Sequence, residues 1–174
     1  RGGIIVYVGS LSTVEAADVE RVTTLAHETL GRMLGVSVAP ITVRVHETLE
    51  SFRQATGRPW WVSSVAEGTA IDLVPAALLA QRDGVETAIR TAVAELLVGP
   101  ALNGRARWVR VGAARYFGRA AGAPGADARQ AVRCPAAAEL TLAISATAQR
   151  EAEARAEACF AREYARTRSW RAVR

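Results

Sequence analysis

The chain of 174 residues contains no lysine, so all 22 of its basic side chains are arginine. It has two histidines, two cysteines and one methionine. These scarcities exclude several chemistries. No lysine is available to activate a nucleophile, and two cysteines cannot by themselves build a zinc site. No apolar run approaches the ~20 residues that a membrane span requires. No signal-peptide pattern opens the stretch, which begins Arg1-Gly2-Gly3 and runs straight into Ile4-Ile5-Val6-Tyr7-Val8.

What is present fits one globular unit. Half the residues are hydrophobic and 22% are charged, which at this length allows a substantial buried core. The net charge of +5 invites a nucleic-acid reading, since basic surfaces attract phosphate backbones. Arginine without lysine instead reads as the codon preference of a GC-rich genome, and acidic residues alternate with the arginines except at the tail, Arg162 to Arg174. No basic-and-aromatic pattern of a nucleic-acid module is visible, so no specific nucleic-acid partner is expected. An arginine-rich surface that holds an anionic polymer or a membrane surface stays as a minor alternative.

Hydrophobic periodicity divides the chain into a β-rich first part, 1–80, and a helical second part, 81–174, within one domain. Ile4 to Val8 reads as a buried strand that stops at Gly9-Ser10. Ser12 and Glu15 have capping-box spacing and open a helix from about Val14 to Leu34. Ile41 to His46 alternates as a strand with Ile41, Val43 and Val45 inward, and a short helix covers Leu49 to Ala55. Trp61 to Ala66 and Thr69 to Val74 read as a strand pair joined across Glu67-Gly68.

Asp83 and Glu86 suit the start of a further helix, whose stripe of Val85, Ile89, Ala92, Val93, Leu96 and Leu97 ends at Gly99-Pro100. Another helix spans about Ala106 to Ala120, and a Gly/Ala/Pro-rich loop covers Ala121 to Asp127. Pro135 suits a first helical turn, and Ala152 to Tyr164 forms a last helix. Cys134 and Cys159 flank this hairpin. They form either a disulfide, which places the protein outside the reducing cytosol, or two buried thiols. The fold class expected is α+β, a small mixed sheet with the N-terminal helix packed on it, followed by a helical subdomain.

Two segments of the helical part carry a resemblance. Ala88-Ile89-Arg90-Thr91-Ala92-Val93-Ala94-Glu95 and Arg107-Trp108-Val109-Arg110-Val111-Gly112-Ala113-Ala114-Arg115-Tyr116-Phe117 stand in the frame of gluzincin, or peptidase MA-like, metallopeptidases. In that family one helix carries His-Glu-x-x-His and the next supplies a glutamate within Trp-x-x-Glu-Gly-x-Ala-x-Tyr-Phe. The stretch from Phe52 through Thr56-Gly57, Pro59, Trp61-Val62, Val65-Ala66 and Gly68 to Leu73 is similar to the strand pair before the zinc helix in secreted bacterial members. The likeness runs in order from about Ile4 to Gly118.

The resemblance implies a zincin fold and an exported protein whose signal peptide lies outside this stretch. It implies no zinc peptidase. Zinc needs the two histidines and a downstream carboxylate, and hydrolysis needs the glutamate as general base. Thr91, Glu95 and Val111 stand at the ligand positions and Ala92 at the base, so no catalytic residue, metal or cofactor is expected. His27 and His46 read as a helix-face residue and a strand-end surface residue. Thr91 and Glu95 at i and i+4 allow a hydroxyl–carboxylate contact, and with it an alternative of non-metal hydrolysis. Arg110 and Arg115 flank Val111, which gives Glu95 a second option as the partner of an arginine.

What the frame leaves is a groove. An edge strand beside the zinc helix pairs with extended peptide through main-chain groups, and that capacity survives loss of the metal. The residues this assigns to binding are Trp61, Val62, Ser63, Ser64 and Val65, with Tyr116 either in the core or turned to the cleft. Trp60 and Trp61 serve as a lip or as rim packing. The expectation is a catalytically inactive domain that binds a peptide or protein segment, with its oligomeric state open.

Overall fold

The computed structural model describes residues 4–8, 12–37, 39–120 and 123–174, the first of these by backbone alone. The expected burial of the Ile4 to Val8 side chains, the stop at Gly9-Ser10 and residues 121 and 122 of the loop lie outside that description. The elements run β1 (Ile4–Val8), α1 (Thr13–Leu34), β2 (Ile41–Val45), α2 (Leu49–Thr56), β3 (Ser64–Glu67), β4 (Ala70–Leu73), α3 (Ala76–Gln81), α4 (Val85–Val98), α5 (Arg107–Gly118), α6 (Ala137–Thr141) and α7 (Ala146–Thr167). A 3-10 turn, Trp170–Ala172, follows.

Local chemistry sets these limits. The Ser12 hydroxyl accepts from the Glu15 amide at 3.3 Å, and the Glu15 carboxylate accepts from the Ser12 amide at 2.9 Å, which starts α1. Gly35 ends it in the left-handed region at φ 61°, where a glycine costs least. The Trp170 indole donates to the Leu34 carbonyl at 3.3 Å and Arg171 to Leu34 and Gly35 at 3.3 and 3.0 Å, so the C-terminal turn covers the open end of α1.

The fold is α+β. Its four-stranded sheet has the order β1-β2-β4-β3, with β1, β2 and β4 parallel and β3 antiparallel on the edge. Helix α1 makes the crossover that a parallel β1–β2 pair requires. Gly68, at φ 59°, turns the β3–β4 hairpin. Val43, Ile71 and Leu73 of the sheet, Leu30 of α1 and Ile89 and Val93 of α4 are completely buried. The same core includes Val109, Phe160, Trp170 and Val173, so both parts of the chain share one apolar interior.

Helix α5 lies against α4 and α7 with glycine at both contacts. A Cβ on Gly112 would stand 2.7 Å from the Phe160 Cβ and press on the Ala156 carbonyl of α7. A Cβ on Gly118 would meet the Thr91 amide nitrogen of α4 at 2.7 Å. Cys134 and Cys159 are bridged, and the bridge ties the segment before α6 to α7 with Cα atoms 5.7 Å apart.

Several expectations need correction. The strand expected from Trp61 begins at Ser64, because Trp60 and Trp61 lie in a turn in which the Val62 amide donates to the Pro59 carbonyl at 3.1 Å. Asp83 does not cap α4. That position falls to Gly84, at φ 86°, with no side-chain bond. Helix α7 starts at Ala146, ahead of the expected Ala152, because the Ser145 hydroxyl accepts from the Ala148 amide at 3.1 Å. Pro135 lies outside α6, which begins at Ala137 with the Glu139 carboxylate accepting from the Ala136 amide at 2.8 Å.

Neither histidine is a surface residue. His46 is 9% exposed, and its Nε2 lies 2.7 Å from Asp72 Oδ1. His27 is 2% exposed, with Nε2 unpartnered. Desolvation lowers the His27 pKa from its ordinary 6.5, against a backbone contact with Ala39 and the charge of Glu28. Below pH 6.5 the unfolded chain therefore takes up a proton that the folded chain refuses. Stability falls as the pH drops through that window. Urea midpoints measured from pH 7.5 downward are expected to show this slope, and His27→Gln is expected to flatten it. An unchanged slope in the variant would assign the effect elsewhere.

Candidate functional site

Helix α4, helix α5, helix α7 and the segment before β3 enclose an open cleft of about 570 Å³. The cleft gathers residues far apart in sequence, among them Trp61, Thr91, Glu95, Val111, Arg115 and Glu153. Thr91 and Glu95 reach it from one face of α4, as their i, i+4 spacing requires. Val111 reaches it from α5, so Thr91, Glu95 and Val111 face one space. Ala92 is 1% exposed and belongs to the core.

The electrostatics of the cleft centre on Glu95. Arg110 Nη2 lies 3.3 Å from its Oε1, with a quarter of the Glu95 side chain exposed. Burial raises the Glu95 pKa, the charges of Arg110, Arg107 and Arg58 pull it down, and Glu153 adds to the rise. The carboxylate therefore answers to arginines, which is the second of the options its sequence context allowed. The carboxylate four residues after Thr91 is engaged by a guanidinium.

Zinc does not fit these residues. Thr91 offers only a hydroxyl, Val111 offers no donor, and the one carboxylate stands among guanidinium groups that repel a dication. Among the described residues no group of three or more His, Cys, Asp or Glu is arranged to hold a metal ion.

The residues expected to bind peptide divide into two sets. Trp61, Val62, Ser63 and Ser64 line the cleft, while Val65 does not. Tyr116 is also away from it. It lies in an aromatic cluster with Phe117, Phe160 and Tyr164 between α5 and α7, its ring centroid 5.2 Å from that of Phe117 and 5.6 Å from each of the other two. Helical geometry accounts for this, since five residues rotate Tyr116 about 140° around α5 from Val111.

β3 is an edge strand, and its free hydrogen-bonding groups follow from its register. Val74 donates to the Ser63 carbonyl at 3.1 Å, so alternation along the antiparallel pair turns the N–H and C=O of Ser64 and Ala66 away from β4. The main chain before Ser64 is already engaged. Arg82, in the turn between α3 and α4, donates to the carbonyls of Trp60 at 2.7 Å and Val62 at 3.3 Å, and to the Ser63 hydroxyl at 3.1 Å. One guanidinium thus fixes the lip of the cleft, and of the two outward-turned residues only Ser64 lines it, because Ala66 is buried.

Arg82 is a residue that sequence reasoning missed, as are Arg58 and Arg107. Pro59 and the tryptophans marked the lip, but nothing local marks an arginine about 20 residues further on as its clasp. Other arginines serve the backbone in the same way. Arg90 donates to the carbonyls of Gly118 and Arg119 at 3.2 Å, and Arg105 to those of Val173 at 2.6 Å and Arg171 at 3.1 Å. Part of the basic excess is therefore engaged inside the fold. Comparison of the chain with protein-family models, with curated proteins and with solved structures finds no match in any of the three.

Proposed function

We propose that this chain is an exported, catalytically inactive domain of the gluzincin type that binds a short extended peptide or protein segment in the cleft between β3 and α4. The observation that carries the reading is the convergence of Thr91, Glu95 and Val111 on one open cleft beside an edge strand, with Glu95 held by Arg110. The cleft keeps the place where a substrate strand lies in an active member. The centre that would cut it is replaced by an ion pair. Main-chain pairing at a sheet edge needs no metal, so recognition persists without catalysis.

The bridged cysteines support export, because disulfides persist in oxidising compartments. Among the described residues no helix is long and apolar enough to cross a membrane.

Two measurements test the proposal. Purified protein exposed to zinc and then desalted is expected to carry far less than one equivalent of metal and to release no product from a peptide library. A chelator-sensitive peptidase activity would refute the inactive reading. Titration with an extended Thr/Val-rich peptide is expected to shift the amide NMR signal of Ser64 ahead of those of β2. Absence of any shift at millimolar peptide would remove the cleft as the binding site.

A further inference from the structure

The cleft has more positive charge than its own carboxylates neutralise. Glu95 is engaged by Arg110, and Glu153 and Glu157 are engaged by Arg115 and Arg119. Asp83 is exposed on the rim. Among the described residues, Arg58 and Arg107 line the cleft with no carboxylate within ion-pairing distance. Both are half-buried, and both act on the Glu95 charge, so they share one end of the cleft.

A second observation concerns hydrogen-bond donors. Arg107 Nε and the Trp61 indole nitrogen are buried and have no partner, and both residues line the same cleft. Buried donors in folded proteins nearly always find an acceptor, and one left alone costs roughly 1–3 kcal/mol. A donor-rich, cationic end calls for a ligand group that only accepts. Water and a peptide carbonyl accept such bonds too, but neither brings the charge that complements Arg58 and Arg107. A carboxylate presents two oxygens, no donor and the complementary charge.

We infer that Arg58, Trp61 and Arg107 form a carboxylate-binding subsite, so that the segment held in the cleft is acidic. The inference rests on the peptide-binding reading above and adds the chemical class of its ligand. Arg107 supplies a planar fork of N–H groups that matches two carboxylate oxygens, and Arg58, which also lines the cleft, supplies further charge. The carboxylate comes either from an Asp or Glu side chain or from the C-terminus of a partner chain. Both have the same chemistry.

Three fluorescein-labelled Thr/Val hexapeptides separate these sources: an amide with one central Glu, its Gln twin, and the Gln twin with a free C-terminal carboxylate. Anisotropy titration at low salt is expected to show one of the two acidic peptides binding about tenfold or more tighter than the neutral twin. The one that does so identifies the source. Arg107→Gln is expected to abolish the preference of the acidic peptide over its neutral twin. Arg58→Gln, just after α2 and outside any helix, supplies the same test should near-UV circular dichroism show that the first variant is misfolded. Equal binding of all three peptides overturns the subsite and leaves the peptide cleft standing, as does a preference that persists in both variants. No binding by any of them removes the cleft reading and this inference together. Tighter binding of heparin or duplex DNA than of every peptide overturns the inference in favour of an anionic-polymer site.

Discussion

Gly112→Val is expected to lower the urea midpoint by an amount equivalent to about 3 kcal/mol, the upper end of what overpacking usually costs. The reason lies in what surrounds the missing side chain. Even a single Cβ would press on the Ala156 carbonyl and stand 2.7 Å from the Phe160 Cβ, and Phe160 is completely buried. The obstruction includes main chain, which cannot rotate away, so α5 has to separate from α7. Valine also removes the backbone freedom that makes glycine costly in a helix, worth about 0.5–1 kcal/mol, and that gain is too small to reverse the sign.

Gly118→Ala applies the same force at the other contact, against the Thr91 main chain. Because Thr91 lines the cleft, this variant is expected to weaken peptide binding as well as stability, whereas Gly112→Val acts on the α5–α7 side. An unchanged midpoint in both variants would show that the helices have room to move apart. Such a result would also undercut the view of the cleft floor as a rigid surface.

The second large effect concerns the bridge between Cys134 and Cys159. It closes a loop of 25 residues, for which the chain-entropy model gives about 3 kcal/mol of stabilisation. The Cys134→Ser, Cys159→Ala double variant is expected to melt about 10 °C lower than the parent. Alanine suits the second site because Cys159 is fully buried and a hydroxyl there would need a partner. Reductant is expected to shift the melting of the parent towards that of the variant and to leave the variant where it is. If reductant lowers both equally, the bridge is not the source of the effect.

The parts of this fold that were legible in the sequence are those set by neighbours in the chain. Ser12 and Glu15 cap each other over three residues, Ile41, Val43 and Val45 face one side of a strand by alternation, and Gly68 turns a hairpin. The parts that were illegible depend on contacts across the fold. Arg82 reaches back to Trp60, Val62 and Ser63, and a turn held by such a reach reads as strand when only its own β-branched and aromatic residues are considered. His27 stands three residues before Leu30 on the inward face of α1, a position its polar side chain disguises.

The cleft shows the same division. Thr91, Glu95 and Val111, which the resemblance singled out, line one cavity because α4 and α5 both border it. Which arginine answers Glu95 depended on the crossing of α4 and α5, since Arg110 and Arg115 stand on either side of Val111 in sequence. Tyr116 was assigned to the cleft or the core, and the turn of α5 sends it to the aromatic cluster with Phe160 and Tyr164.

The shortness of the available edge at β3 has a kinetic meaning. With the carbonyls of Trp60 and Val62 held by Arg82 and Ala66 buried, a visiting strand would meet the main-chain groups of Ser64 and little more. Each such bond contributes about 1 kcal/mol net, so the pairing by itself sustains only a brief encounter. Residence beyond that must come from side chains in the arginine-lined end or from a covalent or domain-level tether that keeps the segment close by. On the proposed reading, an untethered acidic segment would exchange rapidly at this edge, and only a tethered one would stay.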